Sequence, residues 1–261
     1  MTATVRALSP ERGRTASAPT ADIWLLLLNG FELRHDGRLV QLPLTCQRLV
    51  AFLGIHDRWM RRAQVAGTLW PDATDQRAGG CLRSVLWRLH QPGVRRLLDV
   101  SPTHIRLAEN VSVDHRDTIA RIARLVRGAG VCSPEDLDPS GLAADLLPGW
   151  YEDWVIVEAE RFRQLRLQAL ESLCAQLAAR GRFAEAIEAG LSAVAAEPLR
   201  ESAHGRLVRV HLLQGNVVEA LRQYRTCRKL LRDELGLRPS PAMTHLVAGF
   251  GLDDDEVRSR S

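Results

Sequence analysis

The 261-residue sequence lacks the short motifs that most often mark nucleotide, metal or catalytic sites. It contains no G-x-x-x-x-G-K-S/T phosphate loop, no G-x-G-x-x-G fingerprint, no H-E-x-x-H zinc motif and no G-x-S-x-G nucleophile turn. The five cysteines are scattered, with neither a C-x-x-C pair nor a metal-ligand spacing: Cys46, Cys81, Cys132, Cys174 and Cys227. We therefore expect a protein that is not an enzyme, binds no cofactor or metal, and keeps its thiols reduced and buried.

Long apolar runs are also missing from the sequence. The longest run near the N-terminus, residues 23–28, is far too short to span a bilayer. Residues 1–21 are rich in Ser, Thr, Ala, Pro and Arg and lack the apolar centre of a secretion signal. These absences predict a cytoplasmic protein without a membrane partner, with a disordered leader over residues 1–22 and a frayed tail over residues 251–261.

Lysine is almost missing, since Lys229 is the only one among 35 basic residues, and arginine carries the positive charge. Residues 22–117 hold 13 Arg against 10 Asp and Glu, whereas residues 118–261 hold 19 basic and 20 acidic side chains. The excess of positive charge therefore lies in the first half of the chain. This distribution favours a polyanion as the partner of that half.

The sequence does contain an amphipathic, arginine-rich helix, predicted over residues 75–89. Its apolar stripe has the i, i+3, i+4, i+7 spacing of a core-facing surface and consists of Ala78, Leu82, Val85, Leu86 and Leu89. The opposite face carries Gln76, Arg77, Gly80, Arg83, Ser84, Trp87 and Arg88. No acid lies between Asp75, the expected N-cap, and Asp99, so these guanidinium groups suit phosphates and guanine edges in a major groove. A solvated helix face without a ligand is the alternative.

The segments around this helix predict a winged helix with a leading sheet. Short strand-like runs between residues 24 and 42 flank a turn at Asp36–Gly37. Helices are expected from Thr45 to about His56 and from about Met60 to Trp70. A hairpin over residues 97–107 would form the wing, and the helix over residues 75–89 would read the DNA.

The second half of the chain has a helical period. A helix is expected from Asp114 to about Gly128, with an apolar face of Ile119, Ile122, Leu125 and Val126. Residues 131–147 are predicted to form a linker or loop. Further on, residues 181–186 match residues 215–220, and Leu173 matches Leu207, at a spacing of 34. This period indicates tetratricopeptide-like helical hairpins, which must stack to cover their apolar faces.

Together these patterns predict a mainly α protein with small β-sheets. The predicted parts are a winged helix-turn-helix domain over residues 23–113 and a tetratricopeptide-like α-helical repeat domain over residues 114–250. Three aromatic residues are expected to dock the segment between the domains: Trp150, Tyr151 and Trp154. Three helical histidines are expected to be structural: His204, His211 and His245.

Five short motifs follow one another along the chain. They are Leu69–Pro71, Leu82–Leu89, Leu147–Trp154, Glu197–His204 and Glu234–Pro241. In this order and spacing they resemble the Streptomyces antibiotic regulatory proteins, over about residues 23–250. The resemblance implies an OmpR-type winged helix joined to a bacterial transcriptional activator domain. It also implies head-to-tail binding to direct repeats near promoters and recruitment of RNA polymerase through its sigma factor. From the missing phosphate loop we expect a chain unlike the large multidomain members of that family.

The candidate DNA contacts are centred on the arginine-rich helix. Arg83 is the expected base reader, and Arg77 and Arg88 are the expected phosphate contacts. Ser84 is a candidate for either kind of contact. Trp87 is expected to pack under the wing rather than to stack on nucleic acid. For each arginine the alternative is an ion pair with an acid of a neighbouring helix.

Further contacts are predicted at helix starts and in the wing. The candidates for phosphate contacts are Thr45, Arg48, Arg61 and Arg62, and plain solvation is the alternative for Arg61 and Arg62. Arg95, at the base of the wing hairpin, is a further candidate DNA contact. Arg106 is expected to enter a minor groove. The loop formed by Pro71, Asp72, Ala73 and Thr74 resembles the segment through which OmpR-like activators contact polymerase. An ordinary turn set by proline is the alternative.

Two glycines fall inside the predicted reader helix. Gly79 and Gly80 each cost about 1 kcal/mol relative to alanine at such positions. We hypothesise that they leave the start of the helix loosely ordered until DNA binds. Cys81 stands where the resemblance implies a small polar residue, which argues against a base contact at that position.

The sequence thus predicts a DNA-binding transcriptional regulator, specifically an activator of an antibiotic or other secondary-metabolite gene cluster. Its expected partners are double-stranded DNA with direct repeats, RNA polymerase with its sigma factor, and further copies of the chain on DNA. Two alternatives stay open. One is an interaction adaptor that works through its repeats and has a degenerate winged helix. The other is a regulator gated by a small molecule in the concave face of the repeats.

Overall fold

The computed structural model describes residues 23–90, 96–127, 133 and 136–250. The expected leader and tail, Arg95 and Cys132 lie outside the described residues. The fold is mainly α, with two small sheets in the N-terminal half followed by a helical C-terminal half, so the predicted fold class is confirmed. No helix among the described residues is long and apolar enough to cross a membrane.

The elements follow the order of a winged helix joined to helical hairpins. The N-terminal half contains β1 (Ile23–Leu26), β2 (Glu32–His35), β3 (Arg38–Leu39), α1 (Leu44–His56), β4 (Met60–Arg61), α2 (Arg62–Leu69), α3 (Asp75–Leu89), β5 (Leu98–Val100), β6 (His104–Leu107), β7 (Val111–Val113) and α4 (Asp114–Arg127). The C-terminal half contains α5 (Asp153–Ala179), α6 (Phe183–Ala196), α7 (Glu201–Leu213), α8 (Val217–Leu235) and α9 (Pro241–His245).

Two sheets frame the first three helices. The leading sheet has the strand order β3-β2-β1-β7, in which the β2–β3 hairpin turns at the predicted Asp36–Gly37 pair and β7 runs parallel to β1. The second sheet has the order β4-β6-β5 and contains the predicted wing hairpin. Met60 was expected to begin the second helix, which is wrong. It pairs instead with Ile105 in β4, because its buried side chain completes the sheet under the wing.

Helix α3 is seated on its apolar stripe as the sequence predicts. All five side chains of the predicted stripe are buried, and α3 packs against α1 and α2. The expected N-cap was wrong by one residue. Thr74 occupies the N-cap position without a side-chain hydrogen bond, and Asp75 is the first helical residue, where its charge still favours the positive end of the helix dipole.

The helical hairpins confirm the 34-residue period. Helices α5 and α6 form one hairpin and α7 and α8 the next, with Gly181 and Gly215 at the equivalent turns. Both glycines have positive φ angles, 72° and 78°, which a glycine adopts without a steric penalty. The matched Leu173 and Leu207 are both fully buried, so these equivalent positions belong to the core in both repeats.

The segment before α5 packs tightly, although it was expected to be a linker or loop. Leu142, Leu146 and Leu147 are buried, and Leu146 forms a β-bridge with Leu28. These leucines belong to one continuous core that extends from β1 to α7. The proposed division into domains at residues 113 and 114 therefore stays a prediction.

Two of the three predicted docking aromatics occupy this junction. The Trp154 ring meets Phe52 of α1 edge-on at 5.2 Å between centroids, and the Trp150 ring lies 6.1 Å from Phe31. Tyr151 was wrongly included, because its side chain is 83% exposed. On α4, Val126 was likewise expected in the apolar face but is exposed, at the edge of an open groove beside α5.

Candidate nucleic-acid interface

The outer face of α3 presents arginines whose charge is not neutralised locally. Arg77, Arg83 and Arg88 are exposed, and none forms an ion pair with any residue that the structure describes. At 3.6 residues per turn, the exposed side chains of α3 after Asp75 span an arc of about 160°, opposite the buried stripe. The predicted alternative of pairing with a neighbouring helix is therefore not seen for these three residues.

Arg83 lies back along its own helix, over the two glycines. A Cβ atom on Gly79 would be 3.6 Å from Nη1 of Arg83, and one on Gly80 would be 3.7 Å from its Nη2. The helix continues regularly through both glycines. The hydroxyl of Ser84 donates a hydrogen bond of 3.2 Å to the carbonyl of Gly80. In the middle of this face Gly79 and Gly80 therefore carry no side chain, and the guanidinium group of Arg83 lies beside their backbone.

Trp87 belongs to the same exposed face. Its side chain is 69% exposed, so the prediction that it packs under the wing is wrong. On a 3.6-residue helix it projects between Arg83 and Ser84, away from the buried stripe. Cys81 is also exposed, contrary to the expectation that the thiols are buried. The buried thiols are Cys46, Cys174 and Cys227, whose pKa values are raised by burial.

The start of α2 and the wing turn lie together. The backbone N–H of Arg62 donates to the carbonyl of Thr103 at 2.9 Å, and its Nη1 is 3.5 Å from the carbonyl of Pro102. Arg61 is exposed and lies opposite His104 in the β4–β6 ladder. Neither arginine forms an ion pair within the described ranges. These two cations therefore flank the wing, as a phosphate-contacting pair would.

Arg106 occupies the wing but is already engaged. Its Nε lies 2.9 Å from Oδ2 of Asp99, its Nη2 lies 2.7 Å from Oε1 of Glu109, and its guanidinium stacks 4.9 Å from the ring of Trp59. The hydrogen bond to Glu109 raises the pKa of Arg106. Arg106 therefore stabilises the wing and is not the free cation that was predicted to enter a minor groove. Trp59 was missed by the sequence reasoning, although the basic and aromatic run at residues 58–62 was a signal for it.

Arg48 and Thr45, which were predicted to contact phosphates, are turned toward the protein. Arg48 donates from Nη2 to the carbonyl of Leu69 at 2.8 Å, and its Nε is 2.9 Å from Oε1 of Glu152. The hydroxyl of Thr45 is shielded from solvent, and Pro43 takes the N-cap position of α1 that Thr45 was expected to fill. Arg48 thus connects α1 to neighbouring segments, the Thr45 hydroxyl is closed off from solvent, and the candidate interface leaves both residues out.

The loop between α2 and α3 is available for a partner. Pro71, Asp72 and Thr74 are exposed, and the backbone N–H of Ala73 donates to the carbonyl of Trp70 at 3.1 Å. This hydrogen bond fixes a short turn, so the loop geometry also fits the alternative of an ordinary turn.

Of the histidines predicted to be structural, His204 is held within the fold and His245 is not. Within the described ranges no three His, Cys, Asp or Glu side chains lie close enough to hold a metal ion. His204 is buried between the carbonyl of Pro198 at 2.9 Å and the amide of Gln223 at 2.7 Å, and burial lowers its pKa. His245 is exposed at the end of α9, where no structural role is evident.

Comparisons with known proteins agree with this architecture. Residues 140–249 match the family model of the bacterial transcriptional activator domain. The chain is 30% identical over 224 residues to the regulatory protein AfsR of Streptomyces coelicolor, which covers 81% of this chain and 22% of AfsR. It is 34% identical over 200 residues to the transcriptional regulator RedD of the same organism, which covers 71% of this chain and 51% of RedD. The chain thus spans between about a fifth and about a half of the length of these relatives.

A solved structure has the same fold. The structure of Mycobacterium tuberculosis EmbR, in complex with a low-affinity phosphopeptide, superposes with a TM-score of 0.68 at 20% sequence identity. The superposition covers 86% of this chain and 64% of EmbR. At this identity the likeness establishes the fold.

Proposed function

Because the chain belongs to the family of Streptomyces antibiotic regulatory proteins, with a bacterial transcriptional activator domain at residues 140–249, we propose that it is a sequence-specific DNA-binding transcriptional regulator. Its proposed role is that of an activator of a secondary-metabolite gene cluster in the cytoplasm. Its mechanism is non-covalent. The winged helix binds the DNA, and the repeat helices brace the protein on the promoter.

The observation that carries this proposal is the arginine face of α3, whose guanidinium groups form no ion pair with the part of the chain that the structure describes. A cation without a protein partner is free to replace the counterions of a phosphate backbone. In the proposed complex Arg77 and Arg88 contact phosphates, and Arg83 swings off the glycine pair to reach a guanine edge. Ser84 contacts a base or phosphate, and the exposed ring of Trp87 supplies an apolar surface for a thymine methyl group.

The surrounding elements complete the proposed interface. Arg61 and Arg62 at the start of α2, together with Arg95, contact the DNA backbone beside α3. The loop from Pro71 to Thr74 faces RNA polymerase and its sigma factor. Two or more copies bind direct repeats head to tail, so that each repeat domain supports the neighbouring copy.

Footprinting tests the proposal directly. The purified full-length chain is incubated with DNA that flanks its own gene, and nuclease protection is mapped at two salt concentrations. We expect protection of a pair of direct repeats that weakens as salt rises. An interaction adaptor with a degenerate winged helix gives no salt-sensitive protection at any site, and that result would overturn the proposal.

A further inference from the structure

A cavity opens where the N-terminal half meets the repeat helices. It has a volume of about 310 Å³ and lies between the end of α1, the first half of α4 and the first half of α5. Its apolar lining consists of Ile55, Ile119, Ala120, Ala123, Phe162 and Leu165. This volume is at the lower end of the range of small-molecule sites, about 300–1,000 Å³.

The imidazole that lines this cavity, that of His115, forms no hydrogen bond with the residues that the structure describes. His115 is 7% exposed, and its ring centroid is 5.2 Å from that of Phe162. Its Nδ1 is closed off from solvent without a hydrogen bond, and no described residue bonds Nε2 either. Buried polar side chains in native proteins nearly always form at least one hydrogen bond, so a buried imidazole with neither nitrogen bonded points to a missing partner at the nitrogen that an occupant can reach. Since Nδ1 is enclosed, Nε2 is the nitrogen left for an occupant of the cavity.

The charges at the rim of the cavity neutralise one another. Nη1 of Arg116 lies 2.8 Å from Oδ1 of Asp57, and Nη1 of Arg161 lies 3.8 Å from Oε2 of Glu158. Burial and the neighbouring arginines lower the pKa of His115 to about 4, so the imidazole is neutral near pH 7. The site thus offers an apolar wall, one neutral hydrogen-bonding group and no uncompensated charge. An ionic ligand would lose its hydration here without gaining a counter-charge.

We propose that this cavity binds a neutral, mainly apolar small molecule whose hydroxyl group pairs with Nε2 of His115. A hydroxyl group fits because it donates and accepts, and therefore serves either tautomer of the imidazole. The site lies on α1, which packs against α3, so its occupant touches the helix that supports the DNA-reading helix. This site differs from the concave face of the repeats and does not depend on the DNA-binding proposal.

The test uses 2-naphthol as the probe and 2-naphthoate as its charged counterpart of the same ring size. Binding to the full-length chain is measured by fluorescence titration near neutral pH, with the imidazole ¹⁵N resonances of His115 recorded in parallel. We expect saturable one-to-one binding of 2-naphthol, at least about tenfold tighter than that of 2-naphthoate, and a shift of the His115 resonances.

Three variants separate the cavity from the rest of the surface. Ala123→Leu fills the cavity, and His115→Phe keeps a ring but removes both nitrogens; each is expected to weaken 2-naphthol binding about tenfold. Ala184→Leu, at an exposed position on α6, is expected to bind like the wild type. Circular dichroism checks that all three are folded. No saturable binding up to about 1 mM 2-naphthol, equal affinity for 2-naphthoate, or binding that is insensitive to both cavity variants would overturn the proposal.

Discussion

Arg48 of α1 and Glu152, which precedes α5, form an ion pair with 2.9 Å between Nε and Oε1. Both side chains are less than one-third exposed, at 21% and 28%. Because Arg48 also donates to the carbonyl of Leu69 at the end of α2, one guanidinium group connects three segments of the chain. Arg48, which was predicted to contact a phosphate, therefore links the winged helix to the segment that precedes the repeat helices.

This pairing predicts an effect on stability and none on DNA affinity. In a double-mutant cycle of Arg48→Gln and Glu152→Gln, measured by urea unfolding, we expect a coupling energy of about 1 kcal/mol. Arg48→Gln is expected to leave the affinity for DNA unchanged. A loss of affinity without a loss of stability would place Arg48 at the DNA instead.

The glycine pair of α3 predicts a gain in stability from added methyl groups. Alanine at Gly79 or Gly80 would contact only the Arg83 guanidinium, at an ordinary distance, while helix propensity improves. We expect each single variant to raise the free energy of unfolding by up to about 1 kcal/mol and to slow hydrogen exchange of the amides at residues 77–81. Unchanged exchange in both variants would contradict the hypothesis that the glycines loosen the helix start.

The repeat helices contain a contrasting pair of glycines. A Cβ on Gly190 of α6 would lie 2.5 Å from Cδ2 of Leu207, which is buried in α7. One on Gly205 would make only ordinary contacts, with Sδ of Met243 at 3.6 Å and Cδ1 of Leu246 at 3.8 Å. We expect Gly190→Ala to lower the free energy of unfolding by about 1–3 kcal/mol through overpacking. Gly205→Ala serves as the matched control and should be neutral or stabilising. Equal effects of the two substitutions would mean that α6 and α7 are not closely packed at this point.

His115 makes the stability of the fold depend on pH. The pKa of His115 is about 4 in the folded chain, against an ordinary value of 6.5. Burial is the main cause, and Arg116, Arg161 and His56 lower the pKa further. The acids Asp57 and Glu158 also line the cavity. The unfolded chain therefore binds the proton first, and stability is lost as the pH falls from 6.5 to 4. The loss reaches about 3 kcal/mol at most.

The measurement is urea unfolding at several pH values. His204 also has a lowered pKa, so the wild type is compared with His115→Phe, in which the contribution of His204 is retained. The variant should lose less stability than the wild type over the same pH range. Parallel curves for the two proteins would show that His115 is accessible to protons in the folded state.

Local patterns were enough to predict most of the fold. The apolar stripe of α3, the wing hairpin and the 34-residue repeat depend on spacings within a short stretch of chain, and the structure reproduces each of them. Strands β4 and β7 were missed, because two- and three-residue strands are fixed by partners that are distant in sequence: Ile105 for Met60, and the β1 strand for β7.

The candidate site was harder to predict than the fold. An arginine on a helix or strand looks the same in a sequence whether it faces DNA or an acid from another segment. Arg106 is paired with Asp99 and Glu109, and Arg48 is paired with Glu152, whereas Arg83 has no such acid among the described residues. Two of these acids, Asp99 and Glu152, belong to other segments of the chain. Trp87 was misplaced for a related reason, since an aromatic residue is more often buried than exposed.

The central claim is that the outer face of α3 binds duplex DNA through its unpaired arginines. Fluorescence anisotropy of a footprinted site, titrated at several salt concentrations, tests it with Arg77→Ala, Arg83→Ala and Arg88→Ala. Arg225→Ala is the matched control, because Arg225 is also exposed, on α8, and forms no ion pair within the described residues.

In this measurement the two phosphate contacts and the base contact are expected to behave differently. Arg77→Ala and Arg88→Ala should weaken binding to all sequences and each reduce the slope of log K against log salt by about 1. Arg83→Ala should cost about 1–3 kcal/mol and relax specificity at one base pair. If all three variants bound with the affinity and salt slope of Arg225→Ala and the wild type, α3 would not be the DNA-binding helix.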